Sequence, residues 1–407
     1  MFSSTHGLVR KYARPSALDL CIGTPSVSPD TDNATVLQLF GQYHELVSLP
    51  VVEGNRPFGL INRHIFLSQM AKPFHRELYD KKSCIAFMDK TPLVVDAATT
   101  IETLASQAVA SGDKALADGF IITQDGHYLG LGFGLDLIRR VSDMHARQHQ
   151  HIMQSIEYAS VIQNAMLGTS RQALANTLTD YCLVWEPRDH VGGDCYHFVA
   201  HAGGWLAAVV DCTGHGVPGA FMTLIFSSAF DRALALHGPN DPAKLLGEIN
   251  RYIKDSLGQI AGNAKTSQSN DGCDAVLISV DTMAQTLTWA GARTSVFQRS
   301  AATGKTGQFD VDRMGAGYTD TPYDYVWSNY ETTLLPGDLF LISTDGLIDQ
   351  VGGPRQIAYG KRRLQEVLDR CHTLPMLEIA GELLREHAVY QADQVRRDDL
   401  TFFGFRI

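Results

Sequence analysis

Residues 191–224 read VGGDCYHFVAHAGGWLAAVVDCTGHGVPGAFMTL. This stretch contains two apolar runs, and each carries one aspartate at a glycine-marked corner. Asp194 follows Gly192 and Gly193, and Asp211 precedes the sequence Cys-Thr-Gly-His-Gly. A carboxylate at the end of a buried strand is costly to desolvate unless a positive group meets it. The stretch therefore predicts a cation-binding site, with a helix following directly.

The composition limits the classes of protein to which the chain can belong. Its 407 residues predict two or three folding units, and its formal net charge of −10 with no basic stripe disfavours nucleic-acid binding. The 7 cysteines show no metal-ligand spacing, which fits reduced thiols. The N-terminus lacks the apolar core of a secretory signal, and no apolar run approaches the length of a membrane span. We therefore expect a cytoplasmic protein that binds neither nucleic acid nor membranes.

The N-terminal third contains an internal repeat. Residues 1–33 are polar and rich in turn signals, which predicts a loosely ordered lead-in. Residues 35–66 and 99–140 then show the same order of helix, strand, turn, strand and helix. A pattern that occurs twice is stronger evidence than either copy alone.

This pair of blocks resembles a tandem of CBS domains, and we assign residues 34–142 to such a regulatory module. CBS tandems often bind adenine nucleotides between their halves, so the resemblance implies a nucleotide site at Asp136. The family's hydroxyl and acid positions are otherwise occupied here by Asn62 and Ile65 in the first block, and Phe133 takes the hydroxyl position in the second. The alternative is a dimerisation or docking module without a ligand, in which Asp136 only begins a helix.

Residues 143–168 predict a helical connector. Residues 141–167 contain neither glycine nor proline, and Gly168 is expected to end the helix. An apolar stripe recurs at steps of three and four, at Ile152, Ile156, Ala159, Ile162 and Met166. The stripe predicts either a coiled coil between two subunits or a strut docked on the next domain. We interpret the three nearby histidines as a solvated helix face rather than a metal site: His145, His149 and His151.

Residues 169–407 predict an α+β domain in which short, largely antiparallel strands are covered by helices. Further acids stand where strands begin or end: Asp345 follows Leu-Phe-Leu-Ile-Ser-Thr, and Asp398 with Asp399 precedes Leu-Thr-Phe-Phe. Asp211 or Asp345 alone is explained as a turn residue beside glycine. The four together, Asp194, Asp211, Asp345 and Asp398, favour a binuclear site for Mg²⁺ or Mn²⁺, because no His or Cys set suited to zinc accompanies them.

The ordered motifs of this domain are similar to those of the metal-dependent PPM serine/threonine protein phosphatases, in their SpoIIE/RsbU branch. They are Val-Gly-Gly-Asp at 191–194, Asp-Cys-Thr-Gly-His-Gly-Val-Pro-Gly-Ala at 211–220, Gly-Asp-Leu-Phe-Leu-Ile-Ser-Thr-Asp-Gly-Leu at 337–347 and Arg-Asp-Asp-Leu-Thr at 397–401. The resemblance implies an α-β-β-α sandwich, an antiparallel β-sandwich flanked by helices, with two Mn²⁺ or Mg²⁺ ions at one end.

The resemblance also implies roles for individual residues. Asp194 and Asp211 would be the metal ligands nearest the bridging position, and the backbone carbonyl of Cys212 would add another. Asp345 and Asp398 would complete the second metal site. Asp399 is the less expected ligand of its pair. Asp271 and Asp274 could hold a third cation, but we favour a turn at this point. His215 is either a proton donor to the leaving oxygen or a residue that fixes its loop.

These features together predict a phosphatase that hydrolyses phosphoserine or phosphothreonine on a regulatory protein through a metal-bridged hydroxide. By resemblance, the substrate belongs to bacterial partner-switching signalling, the N-terminal module controls activity, and the protein is a homodimer through the connector or that module. The alternative is an inactive pseudo-phosphatase that serves as a ligand-responsive binding module. Four carboxylates that repel one another without metal disfavour this alternative.

Overall fold

The computed structural model describes residues 14–259 and 269–407. The chain divides into two compact units, Met1–Ile152 and Met153–Ile407. The division falls inside the predicted connector.

The first unit contains short helices and two small sheets. The elements are α1 (Asn33–Gln42), β1 (Ser48–Glu53), β2 (Arg56–Asn62), α2 (Arg63–Met70), α3 (His75–Tyr79), β3 (Val94–Asp96), α4 (Ile101–Ala110), α5 (Asp113–Asp118), β4 (Phe120–Gln124) and β5 (His127–Gly132). Strand β1 pairs with β2 in antiparallel fashion, whereas β4 pairs with β3 in parallel and with β5 in antiparallel fashion. The predicted succession of helix, strand, strand and helix is thus present in both blocks.

The expected loose lead-in is wrong for residues 14–33, and residues 1–13 lie outside the described part of the chain. Ser16 and Ile22 form β-bridges with Thr100 and Leu131, and Val27 pairs in parallel with Val51. A 3₁₀ helix, Ala17–Leu20, contributes buried side chains to the core of this unit. These pairings join residues far apart in sequence, so the polar, turn-rich composition of the segment does not reveal them.

A single helix of 44 residues, α6 (Gly134–Thr177), replaces the predicted connector that ended at Gly168. The helix continues because its buried face continues: Gln163, Leu167, Ser170 and Leu174 follow one another at steps of three and four, and all are buried. One glycine in a helix costs about 1 kcal/mol relative to alanine, which this burial exceeds. His145, His149 and His151 lie exposed on α6, as expected for a solvated face.

The second unit is built from strands β6–β17 and helices α7–α11. They are β6 (Tyr181–Glu186), β7 (Asp194–His201), β8 (Gly204–Cys212), α7 (Gly216–His237), α8 (Pro242–Leu257), β9 (Cys273–Asp281), β10 (Thr286–Ala292), β11 (Val296–Arg299), β12 (Thr306–Gln308), β13 (Tyr330–Thr333), β14 (Leu339–Ser343), α9 (Asp345–Ile348), β15 (Val351–Gly352), β16 (Ile357–Ala358), α10 (Gly360–Cys371), α11 (Met376–Gln391) and β17 (Leu400–Arg406). The strand orders are β13-β10-β9-β8-β7 in one five-stranded sheet and β12-β11-β14-β17-β6 in the other.

The two five-stranded sheets pack face to face. Strand β8 shows why: Trp205, Ala207 and Val209 alternate with residues of the opposite face and pack against β14 and β17 of the other sheet. The Trp205 and Phe405 rings meet edge to face, with their centroids 4.9 Å apart. Helices α7 and α8 cover the outer face of the first sheet, and α10 and α11 cover that of the second. The predicted α+β class, with β-sheets flanked by helices, is confirmed.

One helix among the described residues, α7, has the length and apolar composition of a membrane span, contrary to the sequence-based expectation that none would. Of its most apolar 18-residue window, 44% is buried inside the structure. A core helix passes the same test, so this is weak evidence for a membrane span.

Candidate metal centre

Three acids form a row across the first sheet. Asp194 begins β7, Asp211 lies at the end of β8 and Asp274 lies at the start of β9. Asp211 is directly opposite Asp194 on one side and Asp274 on the other. Residues opposite each other in antiparallel strands point to the same face, so the three carboxylates lie side by side.

The second sheet brings two more acids to the same end of the sandwich. Asp345 follows β14 and begins α9, and Asp398 precedes β17. Ser343 pairs with Phe402, which places the segments carrying the two acids beside each other. The hydroxyl of Thr344 joins the sheets, because it donates a hydrogen bond to Asp194 Oδ2 at 2.8 Å. The structure therefore brings together the four acids that the sequence analysis selected.

Burial and the neighbouring negative charges make the ionised forms of several acids in this cluster less stable. Burial raises the pKa of Asp194 well above its ordinary value, and the charges of Asp399 and Asp345 add to the effect. Burial also raises the pKa of Asp211, with contributions from Asp194, Asp345 and Asp398. For Asp345, at the exposed rim, partial desolvation and the charge of Asp398 raise the pKa, while a hydrogen bond with the Asp211 carboxyl opposes them. Converging carboxylates with raised pKa values are typical of functional sites.

The donor set fits a hard divalent cation. Carboxylate oxygens are the ligands that Mg²⁺ and Mn²⁺ favour. Within residues 14–259 and 269–407, no three His, Cys, Asp or Glu side chains already surround a single point as a ready coordination sphere. Asp211 and Asp345 instead lie close enough for each to affect the pKa of the other. A cation would relieve the repulsion that now raises their pKa values.

Asp399 has a different task from its neighbour Asp398. Its side chain is buried, and its two oxygens accept hydrogen bonds from the backbone N–H groups of Arg188 and Gly193, each at 2.6 Å. A Cβ atom on Gly192 would lie 2.8 Å from this carboxylate, which explains the glycine. Asp399 therefore clamps the loop that leads to Asp194, while Asp398 acts electrostatically on Asp211 and Asp345.

The loop after Asp211 packs against the same corner. The carbonyl oxygen of Cys212 lies so close to Gly193 that a Cβ atom there would approach it to 2.7 Å. Gly219, in the first turn of α7, is equally close to Gly193. The Cys212 carbonyl, which the resemblance assigned to the metals, is thus at the corner that carries Asp194.

His215 caps the start of α7 at the edge of this cluster. Its Nδ1 atom is 2.9 Å from Asp189 Oδ2, and both side chains are about half exposed, at 48% and 47%. Gly214 and Gly216, on either side, have φ values of +84° and +64°, which only glycine adopts readily. The contact favours the tautomer in which Nδ1 carries a proton and donates a hydrogen bond to Asp189.

The turn favoured for Asp271 and Asp274 is wrong at Asp274, which lies in β9, because pairing with β8 extends the strand to Cys273. Burial raises the pKa of Asp274 to about 6, and the Arg293 guanidinium, 3.6 Å away, opposes this shift. Asp271 accepts a hydrogen bond from the Thr213 hydroxyl at 3.0 Å. Asp271 thus fixes the loop that contains Thr213. The positive charge that faces Asp274 is supplied by Arg293.

The first unit contains a separate cavity of about 540 Å³, whose lining includes Asn62, Ile65, Tyr79, Lys114 and Asp118. Asn62 donates to Asp118 Oδ1 at 2.5 Å. Asp136, the predicted nucleotide-site residue, instead lies in the first turn of α6, where it forms an ion pair of 3.7 Å with Arg139.

Sequence reasoning missed the side chains that position the candidate site residues, which are the acids and His215. Thr344, Asp189 and the clamp made by Asp399 are examples, and Gln163 of α6 is another. Each acts on a residue distant in sequence or through a backbone group, so no motif spacing marks it. The only local signal was the pair Gly192-Gly193, which indicates a close approach of other atoms to the backbone.

The chain is similar to known phosphatase domains. Residues 201–407 match the model of the family described as Stage II sporulation protein E (SpoIIE). The SiaA PP2C domain of Pseudomonas aeruginosa is 36% identical, and the match covers 64% of this chain and 99% of that domain with a TM-score of 0.57. No curated protein sequence matches this chain.

Two further solved structures are less similar. The PP2C phosphatase domain of SpoIIE from Bacillus subtilis, with a fragment of its regulatory domain, is 17% identical over 56% of this chain and 63% of that one, with a TM-score of 0.44. The RsbU and RsbW domains of a Mycobacterium tuberculosis protein are 16% identical over 56% and 60% of the two chains, also with a TM-score of 0.44.

Proposed function

Because the chain belongs to the SpoIIE family of PP2C-type serine/threonine phosphatases, we propose that it releases phosphate from phosphoserine or phosphothreonine of a regulatory protein with the help of two divalent cations. The observation that carries this proposal is the meeting of Asp194, Asp211, Asp345 and Asp398 at one end of the sandwich. These acids come from both sheets, and burial together with neighbouring negative charges raises the pKa values of Asp194, Asp211 and Asp345. A purely structural site gains nothing from such repulsion.

In this proposal Asp194, Asp211, Asp345, Asp398 and the Cys212 carbonyl would hold Mn²⁺ or Mg²⁺. When bound, the ions supply Lewis acidity, which lowers the pKa of water and neutralises charge on the phosphoryl oxygens. Thr344 keeps the Asp194 carboxylate directed toward the other acids through its 2.8 Å hydrogen bond.

His215 is suited to protonate the leaving serine or threonine oxygen. The Asp189 carboxylate accepts the Nδ1 proton of His215, so the ring is held in one orientation and Nε2 is left to carry the transferred proton. Its exposure of 48% leaves the ring accessible to a protein substrate. This supports the proton-donor interpretation over a role in the loop alone.

The substrate and the control of activity extend the proposal. We propose a small phosphorylated regulator of the partner-switching kind as substrate. The first unit would act as a CBS-like sensor, and the cavity beside Asn62 would accept an adenine nucleotide. Exposed apolar side chains on α6, among them Ile152 and Val161 at 53% and 63%, support a homodimer through this helix. A strictly monomeric species in sedimentation at micromolar concentration would contradict the dimer, and the absence of thermal stabilisation by adenine nucleotides would contradict that ligand.

The deciding experiment measures phosphate release from a phosphoprotein and from an aryl phosphate, with and without Mn²⁺. We expect metal-dependent release by the wild type and a loss of at least about 100-fold in Asp211→Asn, because one metal ligand is removed. If wild type and variant are equally inert with metal present, the enzyme proposal fails and the pseudo-phosphatase remains.

A further inference from the structure

Gln163 is a buried polar side chain that the proposed mechanism does not use. It lies on α6 within the second unit and is 5% exposed. An amide is costly to bury unless its hydrogen bonds are satisfied. The partners of Gln163 therefore indicate why a polar residue occupies this position in an otherwise apolar face with Leu167 and Leu174.

The amide of Gln163 pairs with both backbone groups of Gly192, at the corner that leads to Asp194. Its Nε2 atom donates to the carbonyl oxygen of Gly192 at 2.8 Å, and its Oε1 atom accepts the N–H of Gly192 at 3.2 Å. The Gly192 N–H is a donor only, which fixes the orientation of the amide. A further bond of 3.1 Å joins Nε2 to the hydroxyl of Thr223 on α7.

This contact completes a clamp on the corner. Gly192 stands two residues before Asp194, and the next peptide N–H, that of Gly193, is held by Asp399 at 2.6 Å. The carbonyl of Asp194 itself accepts a hydrogen bond of 2.9 Å from the Trp185 indole. The backbone from 192 to 194 is thus held by a side chain at each residue, and Gln163 provides the contact that comes from α6.

We propose that Gln163 is a positioning residue for the metal centre: by pairing with the backbone N–H and C=O of Gly192 it fixes the direction from which the Asp194 carboxylate reaches a divalent cation. The inference rests on the proposed function, because it assumes that Asp194 binds metal. Residues that orient metal ligands without touching the metal typically change its affinity by 10- to 100-fold when they are replaced. Gln163 makes the affinity for metal depend on the position of one turn of α6.

The test compares Gln163→Met with a control from the same buried face. Methionine is unbranched and of similar size, but it cannot pair with a peptide group. Ser170→Ala is the control, since Ser170 is also buried on α6 and accepts the N–H of Phe198 at 3.1 Å, away from the corner. Mn²⁺ binding to the full-length protein is measured by isothermal titration calorimetry, beside thermal unfolding without metal.

We expect the dissociation constant for Mn²⁺ to rise about 10- to 100-fold in Gln163→Met and to change less than about 3-fold in Ser170→Ala. An unchanged Mn²⁺ affinity in folded Gln163→Met overturns the inference. If that variant does not fold, Gln163→Asn decides by the same criterion, because its shorter amide remains polar but does not reach the Gly192 peptide. Wild-type protein that binds no Mn²⁺ would instead refute the proposed function.

Discussion

The neighbouring acids Asp398 and Asp399 lead to the sharpest prediction, because the structure gives them opposite tasks. In Asp399→Asn, one of the two carboxylate oxygens that accept backbone N–H groups is replaced by an NH₂ group, which cannot accept. A lost hydrogen bond to a charged, buried group, with its donor left unpaired, costs about 2–3 kcal/mol. For a unit of this size that corresponds to a fall of roughly 5–10 °C in melting temperature.

Asp398→Asn should behave in the opposite way. Its amide oxygen can still accept the Asp399 N–H, which Asp398 Oδ1 now accepts at 2.9 Å. The substitution also removes a charge that disfavours the ionised forms of Asp211 and Asp345. We therefore expect the melting temperature without metal to change by less than about 2 °C, whereas stabilisation by Mn²⁺ should largely disappear.

Thermal unfolding of both variants with EDTA and with Mn²⁺ separates these outcomes. Wild-type protein under the same two conditions provides the reference for the metal-dependent shift. The reasoning is refuted if Asp399→Asn melts like wild type in EDTA, or if Asp398→Asn retains the full shift with Mn²⁺.

Two further predictions concern proton transfer and pH. His215→Ala should lower kcat on a phosphoserine peptide by about 10²- to 10⁴-fold but on p-nitrophenyl phosphate by less than about 10-fold, because nitrophenolate leaves without a proton; equal losses on both substrates, measured side by side, would exclude the donor role. Asp189→Asn should show a weaker form of the same contrast. Because burial raises the pKa of Asp274 to about 6, compared with about 3.9 in the unfolded chain, the folded state binds more protons between these values and the free energy of unfolding without metal falls as pH rises through this window. Melting temperatures in EDTA should therefore be lower at pH 7 than at pH 5, and Asp274→Asn should reduce the difference; a rise in stability over the same range would contradict the assignment.

The sequence predicted the parts of the site that depend on local pattern. Acids that end or begin apolar runs, such as Asp211 and Asp345, mark strand ends, and strand ends of a sandwich meet at its edge. The two apolar runs around Asp194 and Asp211 likewise predicted the paired strands from which the sheet grows.

Features that depend on pairing between distant segments were not predictable in this way. Asn270-Asp271-Gly272 is a strong turn signal, yet pairing with β8 extends the strand up to Cys273 and places Asp274 within it. Gly168 was expected to end the connector, but Leu174 and its neighbours continue the buried face beyond it. The clamp by Asp399 joins residues more than 200 positions apart, and no local signal separates it from Asp398.

The row of acids in the first sheet has a consequence for which metals the proposed site would accept. Each acid has a cysteine beside it in sequence, as Asp194-Cys195, Asp211-Cys212 and Cys273-Asp274. Neighbours in a strand point to opposite faces, so the carboxylates meet at the end of the sandwich while the three thiols lie buried in the apolar cluster under α7 and α8. Thiolates would favour zinc or copper, whereas carboxylates favour magnesium and manganese. A shift of β8 by one residue would exchange Asp211 for Cys212. In the proposed site, the register of β8 would therefore determine whether carboxylate or thiol ligands face the metal.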